Sequence, residues 1–126
     1  MRSYHVGVAG LVAEADPKWI DNLLSHYRLP GVGRVRQGVA RLITVEGLLH
    51  IVVIRELVSR GGLTTSAAVQ LATRLLASSS RRVSFVEGLE VRLDLERLRR
   101  MVEHRIGEAA ELSAPARRGR PPRGAR

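Results

Sequence analysis

Four histidines, His5, His26, His50 and His104, are the side chains best suited to proton transfer or metal ligation, and their positions show no metal-ligand spacing. The chain has no Cys, so thiolate sites and disulfides are excluded. Neither a GxSxG nucleophile elbow nor an HExxH zinc motif occurs. Gly31-Val-Gly33-Arg-Val-Arg-Gln-Gly38 has the glycine content of a phosphate loop. It lacks Lys-Ser/Thr after the last Gly, and no Val/Ile strand precedes it. His50 falls in an apolar helix and reads as a hydrogen-bonded core residue. No catalytic residue, metal or cofactor is assigned, and the chain is read as a non-enzyme.

Charge offers a different chemistry. Lys and Arg number 21 against 12 acids, a net +9 over 126 residues. Twenty of the basic residues are Arg, as high-GC codon usage would favour, but codon usage does not explain why they cluster. Arg28 to Arg41 contains four Arg and no acid, and Pro115 to Arg126 contains five Arg and no acid. Such clusters suit a polyanion. The N-terminus lacks the n-region and apolar stretch of a signal peptide, and Ile51 to Ile54, the longest apolar run, is too short to span a bilayer. The expected setting is cytoplasmic, at the nucleoid, with no membrane partner.

The elements that would hold these residues follow from periodicity. Val6 to Ala15 is small and apolar. Asp16 is an N-cap and Pro17 a first helical residue, so a second helix starts there and sets Ile20, Leu23, Leu24 and Tyr27 on one face until Leu29-Pro30-Gly31 ends it. Two helices joined by so short a break have helix-turn-helix spacing. The Gly/Arg stretch that follows predicts a two-stranded ribbon or loop. Thr44 caps a third helix, Val45 to Arg60, apolar around most of its circumference and hence buried. After Gly61-Gly62, Thr64 or Thr65 caps a fourth helix with Ala68, Leu71, Ala72, Leu75 and Leu76 inward. Val83–Val86 and Leu89–Leu93 predict a hairpin around Glu87-Gly88, and Asp94 caps a last helix from Leu95 to about Leu112.

This order of elements resembles the MerR-type winged-helix DNA-binding domain over Tyr4 to Leu76. The resemblance rests on Val6-Gly7-Val8-Ala9, Asp16-Pro17-Lys18, the Gly/Arg-rich segment ending in Arg41, Thr44-Val-Glu-Gly-Leu-Leu, and Gly61-Gly-Leu-Thr-Thr-Ser-Ala-Ala. It implies a mainly α winged helix-turn-helix, with the second helix in the major groove, a wing on the adjacent backbone, and a dimeric bacterial transcription regulator. The chain departs from the family in Trp19-Ile-Asp-Asn-Leu, where members usually carry a basic, Tyr-rich stretch. A long dimerising coiled coil and an effector domain do not follow, so effector sensing is not carried over.

Residue chemistry assigns roles beside that resemblance. With the apolar face inward, Lys18, Trp19, Asn22, Ser25 and His26 face outward. Asn22 can bond adenine bidentately, and Lys18 or Ser25 can reach phosphate. Asp21 lies at the border and is tolerable near DNA if it accepts from cytosine or holds an Arg in place. Arg28, Arg34, Arg36, Gln37 and Arg41 are the wing contacts. In the tail, Arg117, Arg118, Arg120 and Arg123 are further contacts. Arg118-Gly119-Arg120-Pro121 resembles the core of an AT-hook, a minor-groove motif, and a plain basic arm is the alternative.

Leu95, Leu98, Val102, Ile106 and Ala109 run at near-heptad spacing, interrupted by Arg105, and the helix is basic in its first half and acidic in its second. An antiparallel homodimer through this seam is expected, against the alternative that the helix covers its own domain. The expected organisation is 1–77 winged helix-turn-helix, 78–112 hairpin and C-terminal helix, and 113–126 disordered basic tail. The leading function is a sequence-specific transcription regulator binding double-stranded DNA. The alternatives are an excisionase-like architectural protein that bends DNA, and an antitoxin-type adaptor for a protein partner.

Overall fold

The computed structural model describes residues 2–33 and 41–118, with side chains to residue 110. The chain is mainly helical, with two small antiparallel sheets, in the order β1 (Ser3–Tyr4), α1 (Val6–Ala13), α2 (Pro17–His26), β2 (Ile43–Thr44), α3 (Val45–Ser59), α4 (Thr65–Ala77), β3 (Arg82–Val86), β4 (Leu89–Arg92) and α5 (Leu95–Arg118).

The central element is α3. Gly47 through Ile54 are all buried, as the unbroken apolar circumference requires. Thr44 caps the helix by accepting from Gly47 N, and α1, α4, α5 and β2 pack around it. His50 is 3% exposed, and its Nδ1 bonds the Glu46 carbonyl at 3.1 Å. It is a core histidine tied to its own helix through Nδ1. Thr64 caps α4 by accepting from Ala67 N, and Asp94 caps α5 by accepting from Arg97 N.

Two glycines let the ribbon base meet α3. Gly31 has φ +82°, and a Cβ on it would lie 2.4 Å from Gly47 N and 2.5 Å from Thr44 Oγ1. A Cβ on Gly47 would in turn lie 2.8 Å from the Gly31 carbonyl oxygen. The space is used for bonding: Thr44 N and Thr44 Oγ1 both donate to Gly31 O, at 2.8 and 3.0 Å. Gly33 N donates to Leu42 O, and Val32 bridges Ile43. The stretch expected to be a ribbon therefore begins and ends as an antiparallel pair. β1 extends it by pairing Ser3 with Thr44 and Tyr4 with Ile43. Two residues are too few for an alternation to show, so β1 has no sequence signature. Arg34, Arg36 and Gln37 lie outside the described residues.

The last helix corrects three expectations. Val102 and Ala109 are fully buried, Val102 within the same core as α1 to α4, and Leu95, Leu98 and Ile106 pack against that core. The seam Leu95, Leu98, Val102, Ile106 and Ala109 is thus consumed within the chain and is not free to pair two copies. On that side α5 covers α1 and α3. For the same reason residues 78–112 do not separate from 1–77, since α5 closes the first unit's core. Finally, α5 continues past Leu112 to Arg118, through Pro115. The Ala-rich composition of Ala110 to Arg117 favours helix, and the loss of one backbone N–H at Pro115 does not stop it. Arg120 and Arg123 lie outside the described residues.

Arg105, which breaks the heptad pattern, is a staple. Its Nη1 donates to Val12 O at 2.8 Å, and its Nη2 lies 3.5 Å from Glu14 Oε2. α1 has no basic residue in its own last turn. Arg105 brings a cation from α5 to the negative end of the α1 dipole and satisfies one of its open carbonyls. Arg105→Leu keeps the stem packing and removes that bond. It should cost about 1–3 kcal/mol of unfolding free energy, read as a lowered urea midpoint with an unchanged slope.

Candidate nucleic-acid interface

The turn between α1 and α2 decides how α2 is presented. Glu14 takes the left-handed conformation at φ 55°, and Ala15 N donates back to Gly10 O at 2.9 Å. A Cβ on Gly10 would stand 2.9 Å from Ala15 O, so the close turn needs glycine there. Asp16 then caps α2 by accepting from Lys18 N at 2.9 Å, with Pro17 as the first helical residue. Local sequence rules thus set where α2 begins. The Arg105 staple and the packing of α1 on α2 set its direction.

α2 is two-faced. Ile20, Leu23 and Leu24 are buried, while Lys18, Asp21, Asn22, Ser25 and His26 are exposed. The helix ends at His26, with Tyr27 extended and half-buried, earlier than Leu29-Pro30-Gly31 suggested. Ser25 Oγ donates to Asp21 O at 2.7 Å, which ties its proton to the helix and leaves its lone pairs outward. His26 Nδ1 lies 2.8 Å from Asn22 O. A carbonyl only accepts, so Nδ1 carries the proton and Nε2 is the ring nitrogen left facing outward. The Asn22 amide has no hydrogen-bond partner among the described residues and keeps its full donor–acceptor pair. Beyond the C-terminal end of α2, an open cleft runs to the ribbon base, lined by Ser25, His26, Arg28, Val32 and Arg41 among others.

Two of the expected contacts are placed differently from the rest. Trp19 does not face outward as a free aromatic. It is half-buried against the core, and the Arg55 guanidinium carbon sits 5.0 Å from its ring centroid. Periodicity within α2 could not show this, because the partner comes from α3. Trp19 also forms the floor of a shallow, mostly apolar groove with Asn22, His26, Tyr27 and Thr65. Arg41 is 11% exposed at its side chain, and its Nη1 bonds Asp21 Oδ1 at 3.1 Å. The acid on the α2 face is therefore engaged in holding the returning strand of the ribbon against α2, one of the two roles expected of it. Arg55 is the residue that sequence reasoning missed. An Arg on a buried apolar helix offered the one available signal.

Among the described residues no group of His, Asp and Glu could hold a metal ion, and no helix is long and apolar enough to cross a membrane. Compared with family models, with curated proteins and with solved structures, the chain matches none.

The Asp21–Arg41 contact joins an exposed carboxylate to a largely buried guanidinium. A double-mutant cycle over Asp21→Ala and Arg41→Ala should return a coupling of about 0.2–1 kcal/mol, read from urea unfolding. The single change Arg55→Ala should shift the emission of Trp19, the one tryptophan, because the cation over its ring is removed.

Proposed function

We propose that this chain is a winged helix-turn-helix protein that binds a specific double-stranded DNA site and regulates transcription from it. The observation that carries the reading is the presentation of α2. It is pinned to α1 by a glycine-dependent turn, and it turns Lys18, Asn22, Ser25 and His26 outward beside Arg28. It also lies next to the base of an antiparallel ribbon whose intervening segment carries Arg34 and Arg36. A helix in the major groove reads base edges with such side chains. Asn22 is free to bond the N6 and N7 of adenine, and His26 Nε2 can accept from an exocyclic amino group. A flanking basic ribbon supplies phosphate contacts that fix register. The net charge of +9 adds sequence-independent attraction.

The alternative in which the same domain bends DNA with little discrimination differs in one measurable respect. A regulator enriches a defined site from random oligonucleotides and holds it far more tightly than random DNA. An architectural protein shifts the mobility of bent fragments without such enrichment.

Selection from a random DNA pool tests the proposal directly, and failure to enrich any motif would overturn it. On the selected site, Asn22→Ala should relax preference at one base pair and weaken binding by about 1–3 kcal/mol, with random DNA scarcely affected. Arg34→Ala and Arg36→Ala should instead weaken binding to every sequence. Each should lower the slope of log K against log salt by about 0.9. Deleting residues 119–126 should reduce affinity for all DNA. If the tail acts as an AT-hook, the loss is greater on A·T-rich flanks, and Arg120→Ala alone removes most of that difference. Equal losses on both flanks would leave a plain basic arm.

A further inference from the structure

The β3–β4 hairpin carries three features that the fold of one chain leaves unused. Val83 is buried against Leu71 and Leu75 of α4, with Val91 and Leu93 at the edge of that cluster. Phe85, Val86 and Leu89 are 43%, 53% and 53% exposed. Arg82 stands directly opposite Arg92, a like-charge pair across the strands. Among the described residues neither of these arginines, nor Glu90, has an ion-pair partner. Among the described residues the sheet has two strands and nothing pairs with the outer edge of β4.

We infer that the outer edge of β4 pairs antiparallel with the same edge of a second copy, about a two-fold axis at Val91. The backbone allows this register. Leu93 N donates to Arg81 O at 2.8 Å, so residue 93 bonds toward β3. Bonding alternates along an antiparallel pair, and the N–H and C=O groups of Glu90 and Arg92 therefore point away from β3. With Val91 on the axis, Glu90 of each copy exchanges backbone bonds with Arg92 of the other, and Val91 meets Val91. Leu89 of each copy falls opposite Leu93 of the other. One face of the joined sheet is then apolar, and exposed Leu89 meets Leu93 at the margin of the other copy's small cluster. The opposite face carries two Glu–Arg pairs that relieve the Arg82–Arg92 repulsion. All five residues from Leu89 to Leu93 are complementary to themselves under this one operation. An edge this short makes a weak association of the transient class.

Sedimentation equilibrium of the full chain without DNA, up to roughly 1 mM where weak associations saturate, tests the pairing independently of the DNA reading. The native chain should show a reversible monomer–dimer equilibrium. Glu90→Arg and Arg92→Glu each set like charges opposite one another and should raise the dissociation constant roughly tenfold. The double exchange in one chain should restore it to within about threefold. An equimolar mixture of the two single variants should associate where each alone does not. Both side chains are exposed, and circular dichroism confirms that the variants fold. A native chain that stays monomeric, single variants that associate like it, or a double exchange that fails to restore association would each overturn the inference.

Discussion

The architecture depends on the middle two turns of α3, which have no exposed side. Gly47 to Ile54 of α3 are buried without a break, so the chain must supply cover in every direction. Burial of apolar area is the dominant favourable contribution to folding, and it has no direction of its own. The sequence spends its other elements accordingly. α1 and α4 pack on two sides, the β2 end of the ribbon closes the N-terminal end, and α5 takes the side that remains. That demand explains why the last helix folds back on its own chain and leaves its seam unavailable to a partner.

Specific bonds then convert a collapsed arrangement into a defined one. The Gly31–Gly47 approach sets the ribbon against the start of α3 at backbone distance, where any side chain would intervene. Arg105 ties α5 to the turn between α1 and α2. Both act on the same consequence, the position of α2 relative to the ribbon. The polar face of α2 stays in solvent because its apolar contacts are on the other side, and the Asp21–Arg41 bond lies at the border between the two.

The exposed surface falls into two regions of opposite character. Around α2 it is polar, with Lys18, Asn22 and Arg28 exposed. At the hairpin it exposes Phe85, Val86 and Leu89 beside the turn and alternates charge along β4. The two lie on different elements, so contact with a polyanion at one does not compete with pairing at the other.

Local chemistry alone determined much of this. Asp16-Pro17, Thr44, Thr64 and Asp94 mark four helix starts, because capping depends on a residue and its next three neighbours. The apolar circumference of Val45 to Ser59 dictates burial, and Glu87-Gly88 between two β-rich runs dictates a hairpin. The clustering of Arg between residues 28 and 41 is equally a property of the sequence. Tertiary structure decided whatever depends on residues distant in the chain. β1 exists only because Ser3 and Tyr4 meet Thr44 and Ile43. Trp19 turned from a surface aromatic into a half-buried one because Arg55 of α3 lies over it. Arg41 turned from a free cation into the partner of Asp21. The seam of α5 satisfies the same spacing rule whether it faces another copy or its own core. A spacing rule specifies a face, and only the fold specifies what that face meets.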